Sequence, residues 1–164
     1  MSDIETDLVP TALDRHDKAI LRVLQQEGRI SNQELADRIG LSPSPCLRRV
    51  RALENSGIID GYRALINARK LGLKLMALLH ISMDRHTPER FSNFEARISA
   101  IPQVIECLVV TGHDTDYQLK VLVKDMEDYQ DLLLNQITRI EGVTGVHSSF
   151  VLRRIFERGH MGLD

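Results

Sequence analysis

Cysteine occurs only twice in the 164 residues, at Cys46 and Cys107, with no Cys-x-x-Cys pair. That scarcity argues against a disulfide framework, a dithiol redox motif and a structural zinc site. Long apolar runs are lacking too. The longest, residues 71–83, is interrupted by Gly72, Lys74, His80 and Ser82, short of the roughly 20 apolar residues of a spanning helix. The opening stretch holds Asp3, Glu5 and Asp7 and no basic start before an apolar run, so no secretory signal is expected and a reducing cytoplasm fits. Histidine is present but unorganised: His16, His80, His86, His113, His147 and His160 show no His-x-x-x-His or Ser/His/Asp spacing. Neither an enzyme nor a metal site is expected on that pattern. His80 reads as a structural histidine in a buried strand. His113-Asp114-x-Asp116 is a cluster of turn neighbours that rarely complete a metal geometry alone.

What is present is ordinary globular material. Apolar residues make up 43% and charged residues 27% of an 18.6 kDa chain, which suits one average domain or two small ones. The net charge of -2 hides a partition. Residues 14–86 hold thirteen basic against eight acidic side chains, whereas residues 87–152 hold five against ten. Such asymmetry hints that the first half meets a polyanion and the second does not.

The first third predicts three short helices. Asp14 caps a helix bearing Ala19, Ile20, Val23 and Leu24 at helical spacing, with Gly28 at its expected left-handed end. Ser31-Asn32-Gln33-Glu34 is a capping box that opens a two-turn helix ending at Gly40. Ser42-Pro43-Ser44-Pro45 starts a third, in which serine can cap and proline is tolerated, and Gly57 should end it. A short helix, a tight connection and a longer helix form a helix-turn-helix, whose second member enters the DNA major groove.

The third helix is amphipathic in an informative way. With Cys46 at 0° and about 100° per residue, Leu47, Val50 and Leu53 share an apolar stripe. Ser44, Arg48, Arg51 and Ala52 point away from it, with Arg49 on the flank. Arginine bonds guanine O6 and N7 in bidentate fashion, small residues allow close approach, and free amides at a helix start attract phosphate. Arg48 and Arg51 are therefore the candidate base readers, and Arg49, Ser42 and Ser44 the candidate phosphate anchors. A merely solvated arginine face is the plain alternative; the capped turn before it and its lack of acidic residues favour double-stranded DNA. Cys46, on the stripe, reads as core.

The remainder predicts a small α/β domain. Residues 58–67 read as a strand-like link and 69–72 as a turn of helix. Then come a buried strand at 73–83, a helix opened by Pro88 with Phe91, Phe94, Ile98 and Ile101 on one face, a hairpin of strands 104–110 and 117–123, a helix over 126–140, and a last strand at 143–152. This order is the split βαβ, ferredoxin-like βαββαβ arrangement. The fold class is thus α+β: a helix-turn-helix domain over 13–61, a linker and hinge over 62–72, the βαββαβ domain over 73–153, and a tail over 154–164. Its sheet carries apolar residues on both faces, so one face needs a cover, most simply a second copy of the chain.

Taken together, Leu13-Asp14-x-x-Asp17-x-x-Ile20-Leu21, Gly28-Arg29-Ile30-Ser31, Gly40-Leu41-Ser42-Pro43-Ser44-Pro45-Cys46, the Arg49–Leu53 run, Gly57-Ile58-Ile59-x-Gly61-Tyr62 and Thr111-Gly112 with Asp116-Tyr117 resemble the Lrp/AsnC (feast/famine) transcription regulators. The resemblance covers Leu13 to about Arg153. It implies homodimers built through the βαββαβ domains and often assembled into octamers, and amino-acid effectors bound near subunit contacts. The family's common Gly-x-x-Asp-Tyr is one residue longer here. An amino acid needs an acceptor for its ammonium and amide donors for its carboxylate. Gly112, His113, Asp114 and Asp116 in the hairpin turn, with Ser148 and Ser149 on the last strand, are the candidate effector residues. The same acidic residues also suit a solvated turn.

Overall fold

A computed structural model describes residues 12–112, 114–157, 159 and 161–163. The chain divides into two units. The described residues of Met1–Leu65 and Phe156–Asp164 form one, and Ile66–Ile155 the other. The chain therefore connects the units twice, after Leu65 and after Ile155, and the expected C-terminal tail belongs for the most part to the helical unit.

In the helical unit, α1 spans Arg15–Gln26, α2 Asn32–Ile39 and α3 Pro43–Asn55. Each start has a local cause. Asp14 accepts from the amides of His16 and Asp17 while Asp17 bonds back to the Asp14 amide, and Ser31 and Glu34 form the second capping box. Gly40 closes α2 at φ 71°, a conformation that spares glycine the usual Cβ penalty. Ile20, Leu21, Leu35, Ala36, Cys46 and Leu53 form the core. Burial pushes the Cys46 thiol up from its ordinary value, as a packing residue requires. Three expectations change. Leu47 is 39% exposed, so the buried stripe of α3 runs through Cys46, Val50 and Leu53 without it. Gly28 is not left-handed; the helix closes instead through the Glu27 amide on the Val23 carbonyl. Residues 58–67 form no strand; among the described residues no strand lies beside them to pair with.

Both capping carboxylates are held below their ordinary values. Asp14 is lowered chiefly by the Asp17 amide, and Glu34 by the Ser31 hydroxyl and amide. A lowered folded-state pKa stabilises above the unfolded values of 3.8 and 4.5, and that stability is lost as acid protonates the caps. We expect α1 and α2 to be more acid-labile than the rest of this unit. An acid titration followed by residue-resolved NMR checks this, and Asp14→Asn should blunt the response in α1 alone.

In the second unit, Ala68–Leu71 is a 3-10 turn, followed by β1 (Leu75–Met83), α4 (Pro88–Ser99), β2 (Val104–Val109), β3 (Tyr117–Val123), α5 (Met126–Asp131) and β4 (Val143–Phe150). The sheet order is β2-β3-β1-β4, and every pairing is antiparallel. Alternation sorts the side chains. Ala77, Leu79, Ile81 and Met83 of β1 and Tyr117, Leu119, Val121 and Val123 of β3 are buried in one core with Phe94, Ile98, Tyr129, Leu132 and Ile137 from the helical segments. Both segments thus cover one face. Met76, Leu78, His80, Leu108 and Leu122 occupy the other, His80 opposite His147. His80 therefore lies on the open face and not in the core. The helix expected over 126–140 breaks into α5, a π-helical stretch at Leu132–Gln136 and a 3-10 turn at Ile137–Arg139, which keeps Leu132 and Ile137 inward despite the change of pitch.

After that segment, Gly142 sits at φ 96°, and a Cβ there would meet Arg90 Cδ at 2.5 Å and Asp84 Oδ1 at 3.0 Å. Arg90 meanwhile bonds Asp84 at 3.1 Å and Glu141 at 2.7 Å. Gly142→Ala must therefore strain the backbone and dislodge that guanidinium. The strain alone costs about 1 to 2 kcal/mol, and we expect a loss of at least that size in chemical denaturation.

Candidate nucleic-acid interface and effector surface

The helix-turn-helix is locked internally before any ligand is considered. The Asn32 side-chain amide donates to the Pro43 carbonyl at 2.9 Å, which ties the start of α2 to the start of α3. Behind α3, Tyr62 donates to Glu54 at 3.0 Å. Arg49 bridges to the start of α1: one guanidinium nitrogen lies 2.7 Å from Asp14 and 2.8 Å from Asp17. Nothing local signals that clamp, since 32 residues separate Arg49 from Asp17.

Arg49, expected as a phosphate anchor, has its guanidinium engaged by two carboxylates, which raise its pKa further, Asp17 foremost. Arg48 and Arg51 are exposed. Neither has a hydrogen-bond or ion-pair partner among the described residues. Ser42 and Ser44 are exposed at the helix start, and Ser42 makes no capping bond. The anion-binding character of that start is narrower than expected. Pro43 and Pro45 carry no amide, so Ser44 alone offers an N–H among the first three helical residues.

The effector candidates do not converge within one chain. Gly112 has φ 105° and lies in the turn between β2 and β3; His113 lies outside the described residues. The Asp114 carbonyl accepts from the Ser82 hydroxyl at 2.6 Å. Asp116 is held at both oxygens: one accepts from the Met83 amide at 2.7 Å, and the other lies 2.6 Å from His86 Nε2. It pins the turn onto the end of β1. Register parts the two serines. Ser148, opposite Leu79, faces the helices and bonds the Tyr129 hydroxyl, whereas Ser149, opposite Leu78, faces the open side.

A cavity of about 400 Å³ lies elsewhere, between α4 and β2, lined by residues that include Glu95, Ile98, Cys107 and Tyr117. Tyr117 donates to Glu95 there at 2.9 Å. Burial, then that carboxylate, holds the phenol above its ordinary value. None of the predicted effector residues lines this cavity. Among the described residues no group of His, Cys, Asp or Glu is arranged for a metal ion, and no helix is long and apolar enough to cross a membrane.

A capped helix-turn-helix with an outward arginine face, joined to a βαββαβ domain, defines a DNA-binding regulator with a ligand-binding module. Comparison with known proteins agrees. Residues 13–60 match the model for a winged helix-turn-helix DNA-binding domain, although no strand forms among the described residues of the helical unit, and residues 76–161 match the Lrp/AsnC ligand-binding domain. The leucine-responsive regulatory protein of Salmonella typhimurium is 43% identical over 143 residues, 87% of each chain, as is that of Escherichia coli K12. Among solved structures, the transcriptional regulator NMB0573 of Neisseria meningitidis, in complex with L-Met, superposes with a TM-score of 0.88 at 38% identity over 93% of this chain and 97% of that one. An AsnC-family regulator of Agrobacterium tumefaciens gives 0.86 at 32% over 92% and 97%. The chain belongs to the Lrp/AsnC family of transcription regulators. It is a regulator and not an enzyme.

Proposed function

We propose that this cytoplasmic regulator reads a two-fold symmetric DNA site through α3 and answers to an apolar amino acid bound in its second unit. One observation carries the reading: Arg48 and Arg51 stand exposed on α3 with no partner among the described residues, while Arg49, beside Arg48, is clamped to Asp14 and Asp17. The clamp orients the helix and leaves two guanidinium groups for base edges. Ser42 and Ser44 contact phosphate at the helix start.

The functional form is a homodimer, assembled further into octamers, with the open sheet faces against each other; Met76, Leu78, Leu108 and Leu122 give that face its apolar character. The effector site is a half-site on each chain. The Asp114 carboxylate takes the ammonium, the turn amides around Gly112 and His113 take the carboxylate, and another copy completes the pocket. Asp116 positions the turn, Ser149 belongs to the face between copies, and Ser148 supports Tyr129. The leucine-responsive relatives and the L-Met complex of the Neisseria protein support an apolar effector.

The test is selection of bound duplexes from a random pool by the full-length protein, repeated with leucine, methionine and each other common amino acid. A palindromic consensus whose affinity, or whose protein's sedimentation coefficient, moves with one of them is expected. Recovery of no consensus would overturn the DNA reading, and indifference to all the amino acids would overturn the sensing role.

A further inference from the structure

The C-terminal tail returns to the DNA-binding unit and docks on α1. The Gln25 side chain grips the backbone of Met161 from both sides: its Oε1 accepts from the Met161 amide at 2.6 Å, and its Nε2 donates to the Met161 carbonyl at 3.4 Å. One turn earlier, the Arg22 guanidinium donates to the Leu163 carbonyl, and Leu163 packs partly buried against the helical core. Arg22 and Gln25 lie three apart, on one strip of α1. α1 needs neither for its own construction, since Asp14 caps it and Ile20 and Leu21 bury it. Three backbone groups supply recognition, and one apolar side chain sets the register.

The tail follows β4, and no helix or strand lies between them among the described residues. The helical unit is therefore joined to the sheet unit by the chain at Leu65 and Ile66 and, separately, by the chain at Ile155 and Phe156. A docked tail turns that second connection into a tether at fixed points of α1, and an undocked one releases it. Fewer orientations must then be surrendered when the unit settles on DNA.

We infer that residues 161–163 are a latch on α1, and that the docked latch raises the DNA affinity of the helix-turn-helix. The inference rests on the DNA-binding reading, but the docking is measurable without it. Its partner is this chain's own tail, which follows the strand that carries Ser149.

The experiment uses the full-length protein, Gln25→Ala, a deletion of residues 161–164, and the two combined. Gln25 is an outward helical position and alanine is the best helix former, so that variant should keep the fold. Amide hydrogen exchange over residues 22–26 and affinity for the selected duplex are both read. Deletion should speed exchange there several-fold and weaken DNA binding by about three- to tenfold. Gln25→Ala should do part of each, and the double variant should be no worse than the deletion. Unchanged exchange after deletion would overturn the docking, and an undiminished DNA affinity would overturn its role. Gln25→Ala adding its full effect on top of the deletion would also overturn the docking. If the wild type selects no duplex while exchange still depends on the tail, the DNA-binding reading falls and the latch stands.

Discussion

Alanine at Arg48 or at Arg51 should weaken binding to the selected duplex by about 1 to 3 kcal/mol each, roughly five- to 150-fold, with little effect on random DNA beyond the loss of one charge. Both guanidinium groups are exposed and have no partner among the described residues, so their removal should leave the helical core alone. Arg49→Ala makes the contrast. Its guanidinium holds Asp14 and Asp17, so its loss unties the start of α1 from α3 and should lower the melting temperature of the helical unit. The salt dependence of DNA binding should then keep its slope, whereas loss of a direct phosphate contact lowers that slope by about one. Competition titrations at several salt concentrations, together with thermal melts of the free proteins, separate the two behaviours. Equal losses on specific and random DNA for Arg48→Ala and Arg51→Ala would remove the base-reading assignment, and a reduced slope for Arg49→Ala would restore that residue as a phosphate anchor.

What the sequence made legible is whatever is decided within a few residues. The cap at Asp14, the capping box at Ser31, the turn at Gly40 and the existence of β1 and β3 are local, and each could be assigned from the sequence alone. The misreadings share the opposite property. A helical wheel gives the angle of Leu47 but not what covers that angle, and the described residues leave it 39% exposed. The apolar spacing of 126–140 is met equally by a helix and by an α-to-π-to-3-10 succession, since both keep Leu132 and Ile137 inward. Segment 58–67 has strand-like composition, but a strand exists only beside another. The candidate sites follow the same division. Arg48 and Arg51 are exposed where the wheel puts them, with no partner among the described residues. Arg49 and Asp116 are spoken for by residues 32 and 33 positions away, and the two serines of β4 are parted by a register set on β1. The return of the tail, spanning 136 residues between Gln25 and Met161, leaves no local trace at all.

The largest effect on stability should come from Phe94→Ala. Phe94 is fully buried, its ring centroid 4.5 Å from that of Tyr117, and it lies in the core that joins α4 to β1 and β3. Removing a buried phenyl leaves a cavity that the paired strands cannot collapse into, at a cost of about 3 to 5 kcal/mol, a large share of the roughly 5 to 15 kcal/mol that a domain has in total. Phe91 supplies the control: it is only partly buried and meets Tyr117 edge-on at 5.6 Å, so Phe91→Ala should cost clearly less. The loss should also be confined. The helical unit has its own core in Ile20, Leu35, Cys46 and Leu53, with no side chain in common with the sheet core. Denaturant-dependent hydrogen exchange distinguishes the units: amides of β1 and β3 should lose protection in Phe94→Ala while those of α1 and α2 keep theirs. A loss below 1 kcal/mol would mean that the ring is not the keystone its burial implies. Equal loss in both units would mean that the two cores unfold as one, in which case destabilising the ligand-binding unit would itself be felt at the DNA.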